Sequence, residues 1–154
     1  METRPVALLA CALLSGAGII LMARAAEPAP AMQRAADDAP LISQDELLAR
    51  LGRQDPDLVV LDVRTPAEFA AGHVPGARNV SHDQLITHLD ELASSRDKQV
   101  VLYCRSGRRT LLAEDTLRKA GFAKLLHLQG DYLAWEAAHR PIERSAADDA
   151  AAAH

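Results

Sequence analysis

Short apolar runs that alternate with helical segments constrain the fold of this chain most strongly. Residues 58–61, 100–103 and 124–128 have the composition of buried strands, and a shorter strand is expected at 77–80. The segments between these runs are long enough for crossover helices, which parallel strands require. The pattern predicts an α/β domain with a mainly parallel central sheet of about five strands and helices on both faces.

Helix start signals lie between the predicted strands. Ser43 with Glu46, and Thr65 with Glu68, have the spacing of capping boxes, and Pro66 suits a first helical position. The pattern predicts helices from 43 to about 51, after Thr65, from 107 to 120 and from 132 to 138. A further helix is expected after a Ser81 cap. The residues expected to face the core from this helix and from the 107–120 helix are Leu85, Ile86, Leu89, Leu92, Leu111, Leu112 and Leu117.

The N-terminal segment has the pattern of an export signal. Arg4 gives a basic start, no charged side chain occurs from Val6 to Ala23, and a small-x-small site ends at Ala25. This predicts a signal peptide over 1–25. An uncleaved membrane anchor is the first alternative. A lipid-modified Cys11 is the second, and it is disfavoured because the apolar run continues well past that residue.

Composition and length limit the number of domains and the classes of function that the chain can have. The chain has 154 residues, 49% of them hydrophobic, and a net charge of −4, which fits one globular domain and gives no reason to expect a nucleic-acid partner. Two cysteines exclude a disulfide framework and a Cys-based zinc cluster, and the histidines lack metal-ligand spacing. The predicted organisation is a signal peptide 1–25, an Ala/Pro-rich leader 26–40, a domain 41–144 and a disordered tail 145–154.

The chemistry is predicted at Cys104, the one cysteine left after removal of the signal. It follows a buried strand and precedes a helix, so backbone N–H groups and a helix N-terminus converge beside the thiol. Arginines at 105, 108 and 109 add positive charge. Such surroundings stabilise a thiolate. Gly107 gives the loop its backbone freedom. The alternative is a buried cysteine beside arginines that only solvate the surface.

Three ordered motifs resemble the rhodanese-type sulfurtransferases. One stretch resembles the active-site loop of that family: Cys104, Arg105, Ser106, Gly107, Arg108 and Arg109, preceded by Tyr103. The N-terminal signature resembles residues 61–69 with 72–77, and the C-terminal signature resembles Leu128-Gln129-Gly130 with Ala134-Trp135. The resemblance covers about residues 41–142. With the signal peptide, the chain resembles a single-domain periplasmic rhodanese of the phage-shock type.

The resemblance implies a ping-pong sulfur transfer. Cys104 would take the sulfane sulfur of thiosulfate or a persulfide, hold it as a persulfide cradled by the loop 105–109, and pass it to cyanide or a thiol. No metal or organic cofactor is implied, and a membrane is a partner only if the signal is uncleaved. Arg105 and Arg109 are expected to face the pocket. A glycine usually stands at position 131, and Asp131 is expected to weaken the binding of anionic donors modestly.

Several other residues receive structural expectations. Asp62 ends a buried strand and is expected to hydrogen-bond near the loop. Arg64 either contributes charge to the pocket or forms an ion pair with Glu68, four residues away. The pair Glu114-Asp115 is expected on a solvated helix face, and His127 in a solvated or packing role.

Three rival functions stay open at this point. A Cys-dependent phosphatase or arsenate reductase needs Cys-x5-Arg, but the position that would hold the final arginine is Thr110. A rhodanese-like binding module would recognise a partner without catalysis. A persulfide carrier between proteins would use the same loop as a small-molecule enzyme.

Overall fold

The computed structural model describes residues 38–145, and within them a five-stranded parallel sheet forms the centre. The strands run in the order β1-β5-β4-β2-β3. Their bounds are β1 Leu41–Ile42, β2 Leu58–Asp62, β3 Arg78–Asn79, β4 Gln99–Tyr103 and β5 Leu125–Leu128. The predicted α/β class with a parallel sheet is confirmed.

The two outer strands are the ones whose position or length differs most from the prediction. β1, which the apolar pattern did not reveal as a strand, has two residues and pairs with His127 and Leu128 of β5. β3 also has two residues, fewer than the four expected. Both lie at sheet edges, where one neighbour instead of two supports the backbone, so few side chains carry a strand signal.

Three of the four α-helices in the described residues connect strands, and the fourth follows β5. Their bounds are α1 Gln44–Gly52, α2 Pro66–Ala71, α3 Arg108–Lys119 and α4 Asp131–Ala137. Ser43 accepts a hydrogen bond from the Glu46 N–H, and Thr65 and Glu68 form a complete capping box. The predicted helix starts at these two caps are therefore confirmed. Among the described residues, no helix is long and apolar enough to cross a membrane.

Each face of the sheet packs against its own apolar cluster, because successive side chains of a strand point to opposite faces. One face carries Leu61, Leu102 and Cys104 against α3. The other carries Val60, Val101 and Tyr103 against α1 and α4. The helix residues that complete the two clusters include Ala113 and Leu117 on the first face, and Leu47, Tyr132 and Trp135 on the second.

The segment after Ser81 does not form the predicted helix. Two 3₁₀ turns, Leu85–His88 and Ala93–Ser95, occupy it, and Ile86 is 72% exposed. Leu85 and Leu92 are buried as expected. The Ser81 side chain caps neither turn. Two apolar anchors seven residues apart suit a helix, but they also suit two short turns that each bury one leucine.

Leu111 and Leu112 do not face the core from α3. They are 44% and 56% exposed, and the buried stripe of the helix is Thr110, Ala113, Glu114 and Leu117. Two polar residues occupy this stripe because each finds a buried partner, described below. The apolar residues therefore identified the wrong face, and Leu117 alone of the three is buried as predicted.

Candidate active site

The loop after β4 encloses the sulfur of Cys104. Cys104 directly follows the strand and is 1% exposed. Gly107, the N-cap of α3, adopts a left-handed backbone conformation with φ +92°, which glycine tolerates best. Its N–H donates to Cys104 Sγ at 3.1 Å. The sulfur thus lies at the positive end of a twelve-residue helix, where negative charge is stabilised.

Helix α4 holds the carbonyl side of the loop. The N–H of Tyr132 donates to the Cys104 carbonyl at 3.0 Å, and the N–H of Leu133 donates to the Arg105 carbonyl at 3.1 Å. In a trans peptide the carbonyl and the following N–H point in opposite directions. The N–H groups of Arg105 and Ser106 therefore point away from α4 and remain on the outer side of the loop.

Arg109 is the loop arginine with a fixed position. Its guanidinium makes two parallel hydrogen bonds to the Glu68 carboxylate, at 2.7 and 2.8 Å. These bonds lower the pKa of Glu68 to about 2 and raise the pKa of Arg109 above its ordinary value. Glu68 lies on α2, so the helix that Thr65 caps anchors Arg109 in the first turn of α3, five residues after Cys104.

The other loop side chains are exposed to solvent. Arg105, Ser106 and Arg108 all have exposed side chains. Within residues 38–145, neither Arg105 nor Arg108 forms an ion pair. Arg108 borders a surface groove on the outer side of α3, together with Leu111 and Leu112. Arg105 and Arg109 therefore differ: one is free to reorient, and the other is anchored.

Asp62 and Arg64 form a buried ion pair at the end of β2. The Asp62 carboxylate accepts from the Arg64 side chain at 2.6 to 3.0 Å and from its backbone N–H at 2.9 Å. Arg64 also donates to the Gly72 carbonyl and stacks 3.8 Å above the Tyr132 ring. Of the two alternatives for Arg64, the pairing with Glu68 is wrong, because Asp62 and the Tyr132 ring hold the guanidinium inward.

A second buried charge network lies directly beneath the loop. Asp131 Oδ1 accepts from the Cys104 N–H at 2.7 Å and from the Thr110 hydroxyl at 3.0 Å, and Oδ2 lies 2.9 Å from His127 Nε2. His127 Nδ1 lies 2.8 Å from Glu114 Oε1. That oxygen has no directed hydrogen bond among the described residues, so the contact is an ion pair. Glu114 Oε2 accepts from the Ala39 N–H.

The charge state of this network follows from its contacts. Burial lowers the pKa of His127, but Asp131 and Glu114 more than offset it and raise the value to about 10. Burial raises the pKa of Asp131, but hydrogen bonds from His127 and from the Cys104 N–H have the opposite effect and are stronger together. The pKa of Asp131 is therefore below its ordinary value. An imidazolium is therefore held between two carboxylates, a buried arrangement that needs all three partners.

Comparison with known proteins identifies the family. A model of the rhodanese-like domain matches residues 43–138. The chain belongs to the rhodanese-like family. This rhodanese-like domain is 36% identical to a sulfurtransferase of Allochromatium vinosum over 101 residues, which are 66% of this chain and 92% of that protein.

Further relatives of the rhodanese-like domain are similar in sequence or in fold. It is 30% identical to the thiosulfate sulfurtransferase GlpE of Pseudoalteromonas translucida over 89 residues, 57% of this chain and 83% of the relative. A solved Rhodopseudomonas palustris protein, described as of unknown function and a possible tyrosine phosphatase, superposes with a TM-score of 0.63. It is 26% identical and covers 73% of this chain and 89% of its own. The chain spans only 59% and 51% of the length of two other curated relatives.

Thr110 separates the loop of this rhodanese-like domain from an oxyanion-binding Cys-x5-Arg loop. Its side chain is buried, and its hydroxyl donates a hydrogen bond to Asp131, on the side away from the outer surface of the loop. No guanidinium is available at this position to hold two oxygens of a tetrahedral oxyanion. Among the described residues, no group of three His, Cys, Asp or Glu side chains is arranged to hold a metal ion.

Sequence reasoning did not find the network under the loop of the rhodanese-like domain. Glu114 was expected on a solvated face, but it is 1% exposed. Asp131 was expected to act on anionic donors, but its carboxylate points inward and is 4% exposed. The one sequence signal was the replacement of a family glycine by Asp131, with His127 four residues earlier.

Proposed function

We propose that the protein is a sulfurtransferase that carries sulfane sulfur on Cys104 from thiosulfate, or from a persulfide, to a thiol or cyanide. The observation that carries this proposal is the position of Cys104 Sγ, which accepts the Gly107 N–H at the N-terminus of α3 beside the anchored Arg109. Membership of the rhodanese-like family and the similarity to GlpE support it.

The first half-reaction needs a nucleophilic sulfur and a site for an anion. The Cys104 thiolate attacks the outer sulfur of thiosulfate, a sulfur–sulfur bond forms, and the bond to the sulfonate sulfur breaks with release of sulfite. The charge is conserved, because a thiolate and a dianion become a persulfide anion and a dianion. Loop N–H groups and Arg109 stabilise the negative charge throughout.

The second half-reaction returns the enzyme to its starting state. A thiolate or cyanide attacks the outer sulfur of the Cys104 persulfide, and the Cys104 thiolate leaves. The same N–H groups that held the persulfide then receive the thiolate. Because sulfur is exchanged between anions at a fixed site, this sequence requires neither proton storage nor an oxidant.

Intact-mass measurement tests the proposal most directly. After incubation with thiosulfate, the wild-type protein should gain the mass of one sulfur atom, and a following incubation with cyanide should remove it. Cys104→Ser should gain nothing, because a hydroxyl has a far higher pKa than a thiol and forms no persulfide. A wild-type protein without the gain, tested with both thiosulfate and an organic persulfide, would favour the non-catalytic binding module.

We also propose that the chain is exported to the periplasm and cleaved after Ala25. The basic start, the uncharged run and the small-x-small site support this, and all of them lie outside the described residues. N-terminal sequencing of the protein from a periplasmic fraction should read from Ala26. Full-length chain recovered with membranes would show that the segment is an anchor.

A further inference from the structure

We propose that Asp131 is a positioning residue that holds both ends of the sulfur-carrying loop, with its carboxylate fixed in turn by His127. The inference rests on the proposed sulfur transfer by Cys104 and goes beyond it. It assigns a function to a side chain at a position where the family resemblance leads one to expect glycine.

One oxygen atom of Asp131 joins the two ends of the loop. Asp131 Oδ1 accepts from the N–H of Cys104, at the start of the loop, and from the hydroxyl of Thr110, just past its end. Both donors are buried. Bonds from a carboxylate to two buried donors are charge-assisted and short, so they restrain the separation of the two ends.

The loop packs directly against this carboxylate. A Cβ atom added to Gly107 would lie 3.1 Å from Asp131 Oδ2 and 3.6 Å from the His127 ring. Gly107 is also the residue whose N–H reaches Cys104 Sγ. The Asp131–His127 pair therefore lies directly beneath the peptide group that donates to the reactive sulfur.

Asp131 adopts a backbone conformation that favours glycine. Its φ is +52°, in the left-handed region, which is unfavourable for a non-glycine residue. The contacts of the residue offset this strain. Those contacts are all to the loop, to Thr110 and to His127, which supports a role in loop geometry.

The Asp131 carboxylate is itself held in place by the neighbouring imidazole. His127 Nε2 lies 2.9 Å from Oδ2, and Glu114 holds the opposite side of the imidazole ring. Both oxygens of Asp131 are therefore engaged, and the group has no freedom to rotate toward a donor in the pocket. This geometry favours positioning over direct contact with substrate.

Two substitutions at Asp131 separate positioning from a general effect on folding. Asp131→Gly removes the carboxylate and relieves the left-handed backbone, so the fold loses the restraint without new strain. Asp131→Asn retains an oxygen that can accept from Cys104 and Thr110. Thr110→Val independently removes one of the two anchors at nearly constant volume. Asp55→Asn is the control, because Asp55 also accepts from an arginine and a backbone N–H, before β2 at the opposite end of the sheet.

The experiment measures kcat and KM for thiosulfate:cyanide transfer, well below the unfolding temperature of each variant. We expect Asp131→Gly to lower kcat roughly ten- to a hundred-fold with KM within about threefold, because small displacements of reacting groups are costly. Thr110→Val should show a smaller loss, Asp131→Asn should regain most of the activity, and Asp55→Asn should match wild type. An unchanged kcat in both Asp131→Gly and Thr110→Val would overturn the proposal. A lower KM with undiminished kcat in Asp131→Gly would also overturn it and would identify Asp131 as an obstacle to anionic donors.

A second readout does not depend on turnover. The short bond to Asp131 should shift the Cys104 amide proton downfield in the NMR spectrum, and Asp131→Gly should abolish that shift while Asp131→Asn retains part of it. An amide shift that is the same in all variants would contradict the restraint. If wild type forms no persulfide but the amide responds as expected, the proposed function fails while the structural restraint stands.

Discussion

The two ends of the central sheet each carry an arginine–aspartate pair, and the two pairs differ in how deeply they are buried. At the carboxyl ends of the strands, Arg64 and Asp62 pair with side chains only 4% and 0% exposed. Before β2 at the amino ends, Arg50 and Asp55 pair with side chains that are 12% and 23% exposed. The first pair also binds Gly72 and an aromatic ring, whereas the second closes a local turn.

The difference shows that the more deeply buried charges lie at the carboxyl ends of the strands. Removing ions from water is unfavourable unless their partners are complete, so a buried pair needs a compensating role. The network at His127 reaches the Cys104 loop through Asp131, and Arg64 stacks on Tyr132, whose N–H donates to the Cys104 carbonyl. At the amino end, the pair of Arg50 and Asp55 closes a turn before β2 and remains nearer to solvent.

Breaking the buried pair should produce the largest effect on stability. Asp62→Asn leaves Arg64 buried without its anionic partner, which should lower the free energy of unfolding by roughly 3–5 kcal/mol. Asp55→Asn should cost far less, because its partner reaches water. Urea unfolding of both variants measures the contrast. Equal losses would mean that burial does not distinguish the two ends.

Removing the anchored arginine should mainly affect donor use. Arg109→Ala deletes a charge-assisted contact and leaves Glu68 uncompensated near the site, so kcat/KM for thiosulfate should fall about ten- to a hundred-fold, or 1.5–3 kcal/mol. Arg118→Ala, an exposed position at the other end of α3, is the matched control. A loss confined to stability, with kcat/KM unchanged in the folded protein, would make Arg109 a purely structural partner of Glu68.

Alkaline pH should lower the stability of the protein through the His127 network at the carboxyl ends of the strands. The pKa of His127 is about 10 in the folded protein, above its ordinary value near 6.5, so its stabilisation is complete below about pH 6.5 and is lost as pH rises through 10. We expect stability to fall by on the order of 1 kcal/mol per pH unit in that window. Thermal unfolding from pH 7 to 10 measures it. His127→Gln should flatten the decline, whereas His82→Gln, which changes a half-buried surface histidine, should retain it.

The smallest effects are expected from the exposed arginines. Arg105→Ala and Arg108→Ala should each lower kcat/KM for thiosulfate by about two- to fivefold at low salt, because exposed charges act mainly by long-range attraction. High ionic strength should remove most of that difference and leave the Arg109→Ala defect. Salt-independent losses at Arg105 would show that it contacts the donor directly.

Local signals predicted much of this architecture, and contacts distant in sequence account for what was missed. Strands β2, β4 and β5, two capped helices and the position of Cys104 between β4 and α3 follow from apolar runs and capping residues that act within a few positions. The pairing of Arg109 with Glu68 joins residues 41 apart, and Ala39 and Glu114 are 75 apart. No local pattern specifies such pairs.

The helix face of α3 illustrates the physical reason for the misassignment. Amphipathicity assigns apolar residues to the core, which favoured Leu111 and Leu112. Thr110 and Glu114 are buried instead, because Asp131 accepts from the Thr110 hydroxyl and His127 forms an ion pair with Glu114. Where polar residues have buried partners, hydrophobic periodicity reports the wrong stripe. The predictions for the signal peptide, most of the leader and the tail after 145 lie outside the described residues.

The attachment of α4 to the loop also provides a reporter of the site. Amides in the first turn of a helix have no partner within the helix and ordinarily exchange with solvent deuterium quickly. Here Tyr132 and Leu133 donate to the Cys104 and Arg105 carbonyls. Their exchange rates therefore measure how often the loop separates from α4. Two backbone protons next to Cys104 thus have a protection that records the opening of the loop directly.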